Sequence, residues 1–307
     1  MPTRAGSIPS RATLIAAFAT VYLVWGSTYL AIRYAIVTIP PFLMAGVRFL
    51  IAGSILYTWS RLRTTERVTA QHWRNAVVIG ILLLTCGNGG VTWAEQRVPS
   101  GITALLVATV PLWMVILLWI RPGGKRPTAG VALGVVVGLI GMIELIGIGA
   151  FRGQGAIDLV GTGVLFAASL AWAGGSLFAR NASLPDPIVT TGMEMLAGGT
   201  GLIALSVLTR EPQRFDVHTV STVSIVGLLY LIVFGAILGF TAYTWLIKNA
   251  KPVAVGTYAY VNPVVAVFLG WLIAHEPVTT RTVIGAAIII AAVAIITTMQ
   301  SRTKRSA

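Results

Sequence analysis

Ten long apolar segments constrain this chain more than any other feature of its sequence. Each is close to the roughly 20 residues that an α-helix needs to cross a hydrocarbon core of about 30 Å. The segments are continuously apolar rather than alternating, which excludes a transmembrane β-barrel. The sequence therefore predicts an all-α integral membrane protein with ten transmembrane helices, at approximately residues 12–32, 41–60, 75–94, 100–120, 128–149, 157–179, 187–208, 222–247, 253–274 and 279–299.

The charged residues support this prediction and give it an orientation. Only 10% of the residues are charged, and the formal net charge is +13. Most of the Lys and Arg residues fall in connections on one side of the predicted bundle, as the positive-inside rule requires. We therefore expect cytoplasmic N- and C-termini, with lipid headgroups rather than nucleic acid as the partner of the basic residues. The single cysteine, Cys86, lies within the third segment, so no intrachain disulfide is possible.

The first half of the chain is repeated in the second half. LVWGSTYLAIR (23–33) aligns with LAWAGGSLFAR (170–180), and PPFLMAGVRFLIAG (40–53) aligns with DPIVTTGMEMLAGG (186–199). Further matches, such as Pro111 with Pro263, follow in the same order at similar offsets. Five successive predicted helices thus match the next five, which indicates a duplicated five-helix unit.

The odd number of helices in the unit determines how its two copies are oriented. The predicted repeats cover residues 1–150 and 151–307, and the second begins on the opposite side of the membrane from the first. Inverted repeats of this kind are typical of secondary transporters, whose substrate binds near the membrane midplane where the repeats meet.

Five motifs stand out along the chain: WGSTYLAIR, PPFLMAGVRFLIAG, GNGGVTWAEQRVPSG (87–101), VATVP (107–111) and YAYVNPVVAV (258–267). Together they resemble the EamA family of the drug/metabolite transporter superfamily, and within it the YedA-like bacterial inner-membrane transporters. The resemblance implies two EamA repeats in the inner membrane and export of small metabolites or amino acids, coupled to an ion or proton gradient. In one departure, the acidic residue that often follows the fourth span is absent from RPGGKRP (121–127), whereas the second repeat keeps Glu276.

Polar residues within the third segment are candidates for lining a cavity, because polar groups in a span are costly unless they face protein or water. Three glycines surround Asn88 and predict a backbone that unwinds or packs closely. We therefore expect Asn88 and Trp93 to line the substrate site, with tight helix packing as the alternative. Glu95 lies near the membrane boundary, where simple solvation is an equally good interpretation.

Two prolines at corresponding positions, Pro111 and Pro263, predict a pair of broken helices, which indicates a transport site in inverted repeats. Tyr258 and Asn262 share one helical face and are candidates for binding substrate, with interhelical hydrogen bonding as the alternative. Aromatic rings within other spans can stack on an apolar substrate or bind an ammonium group. These rings complete the predicted substrate-binding set: Trp25, Trp172, Tyr243 and Trp245.

Three charged residues lie deep within the predicted spans. At about 1.5 Å per helical residue, Arg48 and Glu144 lie at similar depth, so we expect them to form an intramembrane ion pair. Glu194 lies deeper toward the cytoplasmic side and has no assigned cation. It is therefore the candidate for a carboxylate that couples transport to protons.

The expected function is secondary active transport of a small-molecule substrate by alternating access, with a channel or facilitative pore as the alternative. No span holds a carboxylate dyad or a nucleophile beside a histidine, so we do not expect an enzyme. We also expect no cofactor and no metal. Glycines at 130, 134 and 138 form a stripe that suits close helix contact, within the bundle or between the protomers of a homo-oligomer.

Overall fold

The computed structural model describes residues 10–124, 126–147, 158–250, 252–255 and 257–303, and these ranges contain helices but no strands. Nine helices in them are long and apolar enough to cross a membrane, and a tenth apolar helix is shorter. The first half contains α1 (Arg11–Ala35), α2 (Pro41–Arg61), α3 (Ala70–Ala94), α4 (Ser100–Ile120) and α5 (Ala129–Ile146). The second half contains α6 (Leu159–Ala179), α7 (Pro187–Leu208), α8 (residues 222–249), α9 (Tyr258–Ala274) and α10 (Thr280–Thr303).

The helices of the two halves pack in equivalent ways, and the predicted fold of ten transmembrane helices in two inverted repeats is confirmed. The α2 helix packs against α7, and α5 packs against α10. The α1 helix packs against α8 and α9, while its counterpart α6 packs against α3 and α4. Exchanging the halves converts the contacts of α1 into those of α6 and leaves the α2–α7 and α5–α10 contacts unchanged. The expected repeat boundary at residues 150 and 151 and both chain termini lie outside the described residues.

Helix starts follow local sequence signals. The side chains of Ser10, Asp158 and Asp186 accept hydrogen bonds from backbone N–H groups in the first turns of α1, α6 and α7. Such caps satisfy amide groups that have no partner within the helix. Proline occupies the first position of both α2 and α7, where its missing N–H has no cost.

Two of the helices contain π-helical stretches at equivalent positions. In α3 the stretch is Ile81–Asn88, and in α8 it is Leu231–Leu238; each has eight residues. The π-helix is rare and occurs frequently at functional sites. In α3 it ends at Asn88, and an ordinary α-helix, Gly89–Ala94, follows it. The glycine-rich segment therefore stays helical and does not unwind.

The α4 helix is interrupted just before Pro111. Its two parts are Ser100–Val107 and Val110–Ile120. The symmetric interruption that we expected at Pro263 is absent, since this residue lies inside α9. Pro263 lies in the second turn of α9, so its ring disturbs only the start of the helix. In the second half the interruption comes earlier, after the short helix Pro252–Val255.

Candidate functional site

An aromatic cluster forms where α1, α8 and α9 meet, and we define it as Trp25, Phe240, Tyr243 and Tyr258. The ring of Trp25 lies 5.2 Å from Phe240, 5.0 Å from Tyr243 and 5.4 Å from Tyr258, between centroids. Tyr243 and Tyr258 contact each other edge to face at 5.6 Å. Three residues of the predicted substrate-binding set are thus brought together.

The backbone of α8 leaves room for the indole of Trp25. A Cβ atom on Gly239 would collide with this ring, so the absence of a side chain here permits the close approach. The indole Nε1 donates a hydrogen bond of 3.2 Å to the carbonyl oxygen of Gly235, inside the π-helical stretch. The π-helix and its glycine neighbour therefore position the central ring of the aromatic cluster.

The equivalent position in the other half holds Trp172, which packs against α3 in the same way. A Cβ atom on Gly87 would lie 2.9 Å from the Trp172 ring. Asn88 is half-buried beside this contact, and its carbonyl oxygen accepts a hydrogen bond of 2.8 Å from Thr92 Oγ1. Trp93 packs elsewhere, with the Arg97 guanidinium 5.1 Å from its ring centroid. Trp172 therefore packs on a glycine of α3 as Trp25 packs on a glycine of α8, but the aromatic cluster surrounds Trp25.

Two further predicted residues lie near the aromatic cluster. Trp245 packs on the same small core as Trp25, formed by Val21, Leu246 and Val255. Asn262 is buried, and its Oδ1 atom has no hydrogen-bond partner. This amide oxygen is free to accept a hydrogen bond from a bound molecule.

The expected ion pair between Arg48 and Glu144 is not formed. Arg48 lies on α2, which packs against α3, α7 and α8, whereas Glu144 lies on α5, which packs against α4 and α10. Similar depth therefore did not bring them together, because the two helices are not neighbours. Glu194 is half-buried on α7 and forms no salt bridge with another described residue.

The structure instead packs α2, which carries Arg48, against the last part of α3, and Glu95 follows directly after that helix. Both residues are only 4% exposed, and the charge of each acts on the other. The Nε and Nη1 atoms of Arg48 and both carboxylate oxygens of Glu95 form no hydrogen bonds. Burial raises the pKa of Glu95 well above its usual range; the charge of Glu276 raises it further, while Arg33 and Arg48 lower it. Of the two interpretations of Glu95, the structure excludes simple solvation.

Carboxylates from the second half bind helix ends of the first half at the predicted outer end. Glu276 accepts hydrogen bonds from Ser100 N and Oγ at 2.9 and 2.8 Å, from Gly101 N at 3.1 Å, and from Arg33 Nη1 at 2.9 Å. Glu211 accepts bonds from the N–H groups at the start of α2. The sequence did not predict these contacts, because nothing in it indicates which helix start faces which loop.

A cavity of about 390 Å³ opens at the same end of the bundle. Its lining includes Arg33, Glu95 and Gln96. The buried carboxylate of Glu95 therefore lies between this cavity and the interior. Within the described residues there is no group of three or more His, Cys, Asp or Glu that could hold a metal ion.

Several known proteins are similar to this chain in sequence. A sequence model of the EamA-like transporter family matches residues 12–146 and 159–298. A relative in Escherichia coli, described as an uncharacterised inner membrane transporter, YedA, is 39% identical over 287 residues, which cover 92% of this chain and 90% of the relative. An uncharacterised transporter of Bacillus subtilis, YvbV, is 23% identical over 299 residues, or 97% of this chain and 95% of the relative.

One solved structure has a similar fold. A crystal structure of a protein that is 20% identical in sequence superposes with a TM-score of 0.62, covering 94% of this chain and 99% of that one. At this level of identity the likeness supports the arrangement of helices and nothing further.

Proposed function

Since the chain belongs to the EamA-like transporter family, we propose that it is a secondary active transporter of the bacterial inner membrane that exports small metabolites by alternating access. The substrates are amino acids or related amphipathic compounds. The aromatic cluster carries this proposal, because it joins helices of both repeats next to the unbonded oxygen of Asn262. Transporters built from inverted repeats bind substrate at such an interface.

Contacts between the halves at both ends support alternating access. At the predicted outer end Glu211 binds the start of α2, and at the opposite end Glu66 accepts a hydrogen bond of 2.8 Å from the backbone of Asp186, at the start of α7. These contacts are equivalent under exchange of the halves. Opening one end while closing the other requires such contacts to break and form in alternation.

Two further parts of the proposal concern the coupling of transport to protons and the side of the membrane on which the termini lie. Glu194 stays the candidate for proton coupling, because it is a half-buried carboxylate in a span with no salt bridge among the described residues. Both termini are proposed to be cytoplasmic, on the distribution of basic residues. If the Glu194→Gln variant retained efflux driven by a proton gradient, this role for Glu194 would be excluded.

The test of the transport proposal is counterflow into proteoliposomes loaded with an unlabelled amino acid or amphipathic amine. A carrier accumulates labelled solute transiently and saturates, whereas a channel does neither. The Trp25→Ala variant should lose roughly tenfold in apparent affinity, since removing aromatic contacts of this kind removes about 1–2 kcal/mol.

Trp59→Ala is the matched control, because this ring is exposed near the end of α2 and lies beside Arg63. It should transport within about twofold of the unmodified protein, since an exposed ring contributes little. Flux that neither saturates nor shows counterflow would favour the channel. Equal losses of apparent affinity in Trp25→Ala and Trp59→Ala would show that the aromatic cluster does not bind the substrate.

A further inference from the structure

Two opposite charges lie buried close together without satisfying each other. Arg48 and Glu95 interact through their charges, but they form no salt bridge, and two nitrogen and two oxygen atoms are left without hydrogen bonds. Buried ionised groups are normally paired, because an unpaired charge loses its hydration without compensation. A purely structural pair would be expected to close into direct contact. The unbonded donors of Arg48 and acceptors of Glu95 are therefore available to a third group.

The charge of Arg33 also acts on the Glu95 carboxylate, but the Arg33 side chain forms its salt bridge with Glu276. Arg33 already donates to Glu276, whose oxygens are also bonded to the start of α4. The third guanidinium nitrogen of Arg48, Nη2, faces the π-helical stretch of α8, 3.2 Å from where a Cβ on Gly235 would lie. Arg48 is therefore held between α2 and α8 while its Nε and Nη1 atoms stay free.

We propose that Arg48 and Glu95 bind the zwitterionic headgroup of the transported solute, with Arg48 binding its carboxylate and Glu95 its ammonium group. This inference rests on the proposed transport function and specifies its substrate as an amino acid. A guanidinium matches a carboxylate in two parallel hydrogen bonds, and a carboxylate accepts bonds from an ammonium group. A zwitterion thus satisfies both buried charges with no change in net charge.

One face of α1 connects this headgroup site to the aromatic cluster. Trp25, Tyr29 and Arg33 are spaced four residues apart, so they lie along the same side of the helix. Tyr29 packs on the apolar cluster that contains Ala94, directly before Glu95, and Ala259, directly after Tyr258, packs on the same cluster. Each interval of four residues corresponds to about 6 Å along the helix. An amino acid bound by its headgroup would therefore direct its side chain toward the aromatic cluster, which favours an apolar or aromatic side chain.

The same geometry couples binding to protons. Burial and the Glu276 charge favour the protonated form of Glu95. The charged or titratable groups that interact with it are Tyr29, Arg33, Arg48 and Glu276. A bound ammonium group favours the ionised carboxylate, so the proton and the substrate compete for Glu95. Affinity for a zwitterion should rise with pH through the pKa of Glu95 in the empty protein. The Glu95→Gln variant should lack this dependence.

The experiment compares three matched probes in proteoliposomes: L-phenylalanine, the amine 2-phenylethylamine and the acid 3-phenylpropionate. A panel of the other common amino acids accompanies them, with the corresponding amine and acid of the best substrate. Glu95→Gln should weaken zwitterion and amine binding by roughly 10- to 100-fold and leave the acid unchanged or tighter. Arg48→Gln should weaken the zwitterion and the acid and spare the amine.

Two controls separate recognition from folding. The double variant Arg48→Gln/Glu95→Gln leaves no unpaired buried charge, so it should melt near the temperature of the unmodified protein, while it binds the zwitterion weakly and loses its preference among the three probes. Arg214→Gln and Asp216→Asn remove one charge of each sign from an exposed loop and should change nothing. Melting temperatures in detergent should be measured for every variant.

The outcomes distinguish this inference from the transport proposal. If the unmodified protein moves no solute in the panel or in a wider metabolite screen, both proposals fail. If it moves solutes but no zwitterion, or if each variant affects all three probes equally, the headgroup site is excluded and the transport function stands. Selective losses that follow the missing charge, together with the loss of pH dependence in Glu95→Gln, support the headgroup site.

Discussion

The two ends of the bundle are built from equivalent helices but are held together by different contacts. Glu211 at the predicted outer end has a counterpart in Glu66 at the opposite end, since each binds the start of a helix in the other half. Glu276 has no such counterpart among the described residues. In the alignment that matches Pro111 with Pro263, its equivalent is Gly124.

The structure shows why a side chain is absent at this position in the first half. A Cβ atom on Gly124 would collide with the carbonyl oxygens of Leu118, Trp119 and Arg121. The loop after α4 turns back on its own helix, whereas the loop after α9 directs Glu276 toward α4. Duplication therefore preserved the helices, while the loops came to differ in how strongly they join the halves. The two halves therefore share the same helix arrangement but differ in the loop contacts that hold each end of the bundle closed.

The largest loss of stability should come from Glu276→Gln, which weakens the contacts that distinguish the outer end of the bundle from the opposite end. An amide offers one acceptor oxygen where the carboxylate used both, and it leaves Arg33 without its ion pair. We expect about 3 kcal/mol lower stability, measured by thermal unfolding in detergent. We also expect the outer end to open more often, measured by maleimide labelling of a Val98→Cys background, because Val98 is buried beside the cavity.

Asp216→Asn is the control for this variant, since its carboxylate lies in the exposed loop between α7 and α8. It should leave both the thermal stability in detergent and the rate of maleimide labelling unchanged. If Glu276→Gln did not alter labelling of the thiol introduced at position 98, Glu276 would not be what holds the outer end closed.

The second prediction tests whether the two tryptophan contacts are equivalent. Gly239→Ala places a methyl group against Trp25, and Gly87→Ala places one against Trp172. Overpacking of this kind costs typically about 1–3 kcal/mol, and both variants should melt at lower temperature. Only Gly239→Ala should weaken substrate affinity strongly, because it displaces the central ring of the aromatic cluster. Equal losses of affinity would indicate that both halves contribute equally to the site.

The smallest effect concerns a pair of positions in α1 and α6. Ser27 Oγ forms a hydrogen bond of 2.6 Å with Tyr230 Oη, whereas its counterpart Gly174 has nothing within 4 Å of an added Cβ. Ser27→Ala should cost about 1 kcal/mol, mainly through the lost hydrogen bond to Tyr230, since the bond from Ser27 Oγ to the Val24 carbonyl lies within the same helix. Gly174→Ser should be neutral or slightly stabilising, since nothing opposes the new side chain. A destabilising Gly174→Ser would show that this position packs against something beyond the described contacts.

The fold could be predicted from the sequence because each step rests on a local or periodic signal. Apolar length predicts the spans, and the order of matching segments predicts the repeats. The residues of the aromatic cluster could be predicted for a similar reason. Trp25, Tyr243 and Tyr258 lie within spans, where the polar edge of a large ring is costly unless it faces protein or substrate.

The ionic part of the site could not be predicted in this way. Depth along a helix placed Arg48 level with Glu144, yet the neighbours of a helix are set by tertiary packing, which depth does not report. Glu95 follows the last residue of α3, so sequence position alone could not distinguish a solvated carboxylate from a buried one. The π-helical stretches contain no proline, and in α8 the stretch holds the single glycine Gly235 in an otherwise apolar run, so its sequence does not indicate a π-helix.

These π-helical stretches have a consequence for how such a gene can change. A single-residue deletion within Leu231–Leu238 could be absorbed by conversion to an ordinary α-helix, and the span would remain long enough to cross the bilayer. Because the π-helical turn holds one residue more than an α-helical turn, the later residues of α8 would keep their orientation, and Tyr243 would stay beside Trp25. The same deletion in the α-helical part between this stretch and Tyr243 would rotate Tyr243 by about 100° away from Trp25. The π-helical stretch should therefore tolerate the loss of one residue that the following part of α8 does not.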